Sequence, residues 1–146
     1  MKAIIAIILF LCLSCSINIT TQYKLPKTRI VPAFLLSDNI KQHIKESLKY
    51  YKIKHSNIVY AQAILETGHF GSRFCKEYNN LFGLYNSHKK DFFTFKHWSE
   101  SVKCYKTSLQ YKYKGGDYYA FLDSIGYAED PEYIDKLKVL VDNLDY

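Results

Sequence analysis

Apolar residues return every three or four positions along much of this chain, the period of helices with one buried face. Ile40, Ile44, Leu48 and Tyr51 form the first stripe, with Lys41, Lys45, Glu46 and Lys49 opposite and a cap at Ser37 or Asp38. The next stretch, Ser56 to Thr67, differs. Ile58, Val59, Tyr60, Ala61, Ala63, Ile64 and Leu65 leave it almost no polar face, so this helix belongs in the middle of a domain. Ser56 is its expected N-cap, and Gly68 its stop, because glycine accepts left-handed backbone without a Cβ clash. Ser72 then caps a short helix through Tyr78. Val102, Tyr105, Leu109 and Tyr113 predict a helix over 99–113 that Gly115-Gly116 ends. Asp117 opens a shorter one to Ile125, burying Tyr118, Phe121 and Leu122, and Gly126 ends it. Asp130-Pro131 starts the last helix, with Tyr133, Leu137, Leu140 and Leu144 facing the core. Between 84 and 98 the helical period is lost. Phe92, Phe93, Thr94 and Phe95 fit a strand and Asn86 to Lys90 a turn, which predicts one hairpin. The fold class is α+β, mainly α.

Only Gln62 and Glu66 interrupt the apolar helix, and four-residue spacing puts them on one stripe. Glu66 falls in the last turn, at the edge of the core. A carboxylate there either pairs with a cation or hydrogen-bond donors, or faces a cleft. A structural ion pair and a catalytic acid both satisfy that pattern.

With 146 residues the chain is one domain's worth, and 48% apolar with 23% charged residues marks it as globular. Its N-terminus is a targeting segment. Lys2 supplies the charge, Ala3 to Leu13 is an apolar run too short to span a bilayer, and Leu13-Ser14-Cys15 has the form of a lipoprotein cleavage site. The expected organisation is a signal peptide over 1–15, a tether over 16–35 interrupted by Pro26 and Pro32, and a folded domain over 36–146. Cys15 would become the lipidated first residue, anchoring an exported, periplasmic or membrane-attached protein; ordinary secretion is the alternative. The formal net charge of +6 suits a polyanion. The lysines are spread along the chain without a concentrated patch or a nucleic-acid motif, so nucleic acid is not the expected partner.

No His, Cys and carboxylate group has zinc spacing, so neither a metal nor another cofactor is expected; His43 and His55 read as surface residues. Cys75 and Cys104 permit a disulfide in an exported protein, or remain two thiols. Neither has the local signature of a nucleophile.

Three ordered segments then narrow the reading: Gln62-Ala63-Ile64-Leu65-Glu66-Thr67-Gly68 followed by Gly71-Ser72, then Asn79-Asn80-Leu81-Phe82-Gly83, then Gly126-Tyr127-Ala128-Glu129-Asp130-Pro131-Glu132-Tyr133. Together they resemble the motifs of the glucosaminidase family of peptidoglycan hydrolases, glycoside hydrolase family seventy-three, and the resemblance runs from about Leu36 to Leu140. It implies a lysozyme-like helical domain with a small β-hairpin lobe beside the cleft. It also implies a monomer acting on peptidoglycan glycan strands, with Glu66 as catalytic acid and Tyr127 as a cleft residue that stabilises the transition state or positions water. Asn79 and Asn80 would shape the cleft wall, and Gln62 and Phe82 would line the cleft. His69 is a candidate partner for Glu66 or a cleft-lining residue, at a place where family members usually carry a bulky apolar or aromatic one.

The hairpin lobe is shorter than the family's, and it is this lobe that often supplies a second carboxylate. Asp91 and Glu100 are the possible second acids here, although Glu100 also fits as a favourable charge at a helix start capped by Ser99. The expected reaction is cleavage of the β-1,4 bond after N-acetylglucosamine, with a raised Glu66 pKa keeping the acid protonated. A base-activated water or the substrate's own N-acetyl group would complete it. The alternatives are an amidase cutting the muramoyl–peptide bond, a muramidase, and a wall-binding or assembly module that has lost turnover.

Overall fold

The computed structural model describes residues 38–146; the expected signal peptide and tether, the expected lipidation residue Cys15 and the alternative cap at Ser37 lie outside these residues. Among the described residues the chain runs α1 (Asp38–Tyr50), α2 (Ser56–Thr67), α3 (Arg73–Tyr78), β1 (Tyr85–Asn86), β2 (Asp91–Phe92), α4 (Trp98–Ser108), a 3-10 turn (Gln110–Lys112), α5 (Tyr118–Ser124) and α6 (Tyr133–Asp142). This is the expected mainly helical α+β domain with one small hairpin.

The apolar helix α2 is the centre of the molecule. It packs against α1 on one side and α6 on another, while α1 also meets α4. Ile58, Val59, Tyr60, Ala61, Ala63 and Ile64 are all buried. The two alanines matter because a side chain of one carbon lets neighbouring helices approach on several sides of α2 at once. Around it, Ile44 and Leu48 of α1, Val102 and Tyr105 of α4, Leu122 of α5 and Leu137 of α6 complete the core. Each fully buried Leu, Ile or Val contributes roughly 1.5–3 kcal/mol.

Several boundaries differ from the expectation, each for a local reason. α2 begins at Ser56 itself, and His55 precedes it in left-handed backbone, φ 51°, without a side-chain cap. At α4 the cap is the ring of His97, whose Nδ1 accepts from the Ser99 amide, so Ser99 is inside the helix. The helix expected over 99–113 breaks after Ser108 into the 3-10 turn, although Leu109 and Tyr113 remain buried as the pattern required. The last helix starts at Tyr133. Asp130 still serves its first turn, accepting from the Glu132 amide at 2.9 Å and pairing with Lys136 at 2.7 Å. The hairpin pairs only Tyr85 with Phe92 and Asn86 with Asp91. The ladder stops there because Asn80 takes the Leu84 amide and the Phe93 carbonyl, which leaves Phe93 one cross-strand bond, from its amide to the Leu84 carbonyl, while the Phe95 amide donates to the Tyr78 carbonyl. Cys75 and Cys104 form no disulfide.

Candidate active site

The end of α2 is built to be rigid. Gly68, His69 and Phe70 follow it with φ of 55°, 60° and 63°, three successive left-handed residues. For His69 and Phe70 this is a strained conformation. Two features hold it. The Thr67 hydroxyl donates to the Ala63 carbonyl at 2.6 Å and accepts from the Phe70 amide at 2.8 Å. The Phe70 side chain is itself buried at 1% exposure. The last turn of α2, which carries Glu66, therefore ends on a fixed corner.

Glu66 sits beside phenols and an amide. The Tyr133 hydroxyl lies near enough to its carboxyl to favour the ionised form, while Oε1 is buried without a partner among the described residues. No described cation forms an ion pair with it. Burial dominates and pushes the carboxyl up to about 8, against the opposing pull of the Tyr133 hydroxyl. Of the two readings the pattern left open, the protonated acid fits this environment better than the structural ion pair. Gln62, one turn earlier, is fully buried. Its oxygen accepts from the Tyr105 hydroxyl at 2.7 Å and its nitrogen donates to the Tyr133 oxygen at 3.4 Å.

Tyr127 comes close to this group but not as an open cleft residue. It is 1% exposed, donates to the Phe82 carbonyl at 3.3 Å, and packs its ring 5.5 Å from that of Tyr133. Its contact with Glu66 is electrostatic, and burial pushes its hydroxyl far up, so it stays a neutral phenol. Phe82 is likewise fully buried, so it supports the site from behind. Asn80 is buried too, and its side chain makes the turn that the Asn-Asn pair suggested. It donates to the Leu84 and Phe93 carbonyls at 2.9 and 3.0 Å and accepts from the Leu84 amide at 3.0 Å. Asn79 takes left-handed backbone, φ 51°, and donates to the Phe95 carbonyl at 3.0 Å. Both asparagines thus tie the start of the hairpin to its end.

The other candidates are placed apart. His69 is exposed on a mostly apolar groove of about 660 Å³ between α2 and α6, with Ile64, Leu65 and Gly68. Helical geometry puts Ile64 about 160° around α2 from Glu66, and His69 is not among the groups that bear on the Glu66 carboxyl. Asp91 is exposed and accepts from the Phe92 amide. Glu100 is exposed and accepts from the Lys96 amide at 3.0 Å, a capping contact before α4. Neither is among the groups whose charge bears on Glu66. Among the described residues no group of His, Cys, Asp and Glu could hold a metal. Cys75 is buried, which pushes its thiol up to about 12 and leaves it unreactive.

Tyr133 and Tyr105 are the site residues that periodicity could not single out, because both read as ordinary core positions. For Tyr133 the available signal was its place at the end of the third motif; for Tyr105 it was the polar end of a core-facing tyrosine set against the one buried glutamine of α2.

A family model described as glucosaminidase, mannosyl-glycoprotein endo-beta-N-acetylglucosaminidase, matches residues 41–146. Comparison with curated proteins finds no match. Among solved structures the chain is similar to the catalytic domain of the autolysin Auto from Listeria monocytogenes, at 23% identity over 71% of this chain and 79% of that one, with a TM-score of 0.48.

Proposed function

The chain belongs to the glucosaminidase family of peptidoglycan hydrolases, and we propose that it cleaves the β-1,4 bond after N-acetylglucosamine with Glu66 as general acid. The observation that carries this reading is the state of Glu66. It is a carboxyl at the end of a core helix, raised to about 8 by burial and unpaired at Oε1 among the described residues. An acid in that state is protonated at neutral pH and can give its proton to a glycosidic oxygen as the bond breaks.

Charge developing at the anomeric carbon needs a second group. Asp91 and Glu100 are both occupied by backbone amides at the surface, which favours assistance by the substrate's own N-acetyl group over a base-activated water. The tyrosines beside Glu66 contribute a low-dielectric wall and one directed hydrogen bond. On this route the sugar is first released with retained configuration, and NMR of the fresh product would show it; inversion would exclude it.

The test of the function is digestion of purified peptidoglycan by the full chain, wild type beside Glu66→Gln, with mass spectrometry of borohydride-reduced products. Reduced N-acetylglucosamine ends from the wild type alone support the proposal. Reduced muramic acid ends would make it a muramidase, and free stem peptides an amidase. Wall binding without products from either protein would make it a module that has lost turnover.

A further inference from the structure

A continuous line of buried polar groups crosses the core and ends at Tyr133, beside Glu66. It starts at the peptide of Lys54, just before α2. The Lys54 amide donates to Gln110 Oε1 at 2.9 Å, and Gln110 Nε2 donates to the Lys54 carbonyl at 2.8 Å. Backbone groups cannot exchange donor for acceptor, so this pair fixes which way the Gln110 amide points.

Each later link is then determined by the one before. Gln110 Nε2 spends its second proton on the Tyr118 hydroxyl at 3.0 Å. Tyr118 therefore has its own proton free for Tyr105, 2.9 Å away. Tyr105, receiving there, donates to Gln62 at 2.7 Å, so the Gln62 atom facing it is the oxygen. The Gln62 nitrogen then faces Tyr133 and donates to its hydroxyl oxygen. Tyr133, with that oxygen already receiving, keeps its own proton for a neighbour, and Glu66 is the carboxyl beside it. The intermediate groups are all buried, with Gln62 and Tyr105 at 0% exposure, so bulk solvent does not compete for any link.

We propose that Gln110, Tyr118, Tyr105 and Gln62 act as positioning residues that fix the direction of the hydrogen bond Tyr133 makes to Glu66. The consequence is chemical. A donor from Tyr133 marks the oxygen it reaches as the carbonyl oxygen of the acid, so the transferable proton sits on the other oxygen, free of any described protein acceptor. Reversal would let Tyr133 accept that proton and hold it. The line is not a proton relay, because the Gln62 carboxamide interrupts the hydroxyls and an amide N–H does not readily pass a proton on. The proposal rests on Glu66 being the acid, but its direct test does not need turnover.

That test is the Glu66 carboxyl titration, followed by carbon-13 NMR of the full chain with Glu66→Gln for assignment. In Tyr105→Phe the Gln62 oxygen loses its donor. The amide turns over, its oxygen accepts from Tyr133, and the directed bond to Glu66 is lost. Because that bond favours the ionised carboxyl, the midpoint should rise by about half to one unit. Tyr118→Phe, one link farther out, should shift it the same way by less, and serves if Tyr105→Phe does not fold. Tyr113→Phe removes a hydroxyl whose ring lies 4.9 Å from that of Tyr118 but which is outside the line, and should leave the midpoint unmoved. A merely structural role predicts lower stability with an unchanged midpoint. Equal midpoints in wild type, Tyr105→Phe and Tyr118→Phe would overturn the inference. On peptidoglycan, kcat should fall on the order of tenfold with KM unchanged. A wild type that shows the titration shifts but releases no sugar would sink the functional reading and leave the positioning line standing.

Discussion

Replacing Glu66 with glutamine should change how stability depends on pH, and the size of the change follows from its burial. The ordinary carboxyl value of 4.5 is raised to about 8 in the folded protein. Between those two values the folded state holds a proton that the unfolded chain has released, so wild-type stability must fall as pH rises through this window. Below 4.5 both states are protonated and the penalty vanishes; above 8 both are ionised and it is constant. A glutamine in this place has nearly the same shape and does not titrate. Taking the difference between the two proteins at about pH 4 as the reference removes any packing offset. Relative to it, Glu66→Gln should gain about 3 kcal/mol at about pH 7 and level off near about 5 kcal/mol above about pH 9. Urea unfolding of both proteins at about pH 4, 7 and 9, with m-values held in common, measures this directly. Parallel curves would show that Glu66 is not raised, and the acid would then be ionised and useless as a proton donor near neutrality. A loss of stability that grows with pH would show a buried ion pair, the structural alternative that the sequence pattern left open.

Other consequences are local. Asn80→Ala removes three short hydrogen bonds that join the 80–84 turn to Leu84 and Phe93, and should cost about 3 kcal/mol in chemical denaturation. Gly68→Ala meets no atom within 4 Å but must adopt φ 55°, so it should lose about 1–2 kcal/mol from backbone strain alone, seen as a lower melting temperature. Cys75 should resist a thiol reagent in the native protein at neutral pH and react on unfolding, since burial holds its thiol at about 12. If the leader is read correctly, Cys15→Ala should move the exported protein from the membrane fraction to the soluble one, followed by immunoblot.

The helical body was legible because its signals are short-range. A stripe such as Ile44 and Leu48, or Gly68 and Gly126 in left-handed backbone, depends only on residues within a turn or two. The boundary of α4 moved because a residue type outside the usual capping set supplied the cap. His97 replaces Ser99 at α4 because its ring reaches the Ser99 amide across an extended residue. The Phe92 to Phe95 run looked like a strand from its composition. Only its first residue pairs, because Asn80 takes the Leu84 amide and the Phe93 carbonyl that would close the next rung, and the Phe95 amide goes to the Tyr78 carbonyl. Strand propensity describes a fit to a pleated surface, and here the surface it meets is a turn held by Asn80.

The site was half legible for a related reason. Glu66 stood out because a charge on an otherwise apolar helix has few ways to persist. The groups that define its chemistry did not stand out, because a tyrosine at a core-facing position is read by its ring, and the ring is what periodicity detects. Tyr105, Tyr118 and Tyr133 fill core positions well enough as apolar bodies. Their hydroxyls need partners, and those partners come from Gln62 and Gln110, 48 positions apart in the chain. Replacing these residues with phenylalanine and leucine would leave the hydrophobic pattern intact while removing every directed contact to the acid. A sequence pattern therefore constrains where Glu66 sits, whereas the direction of its proton is set by buried polar ends that only the packed structure brings into line.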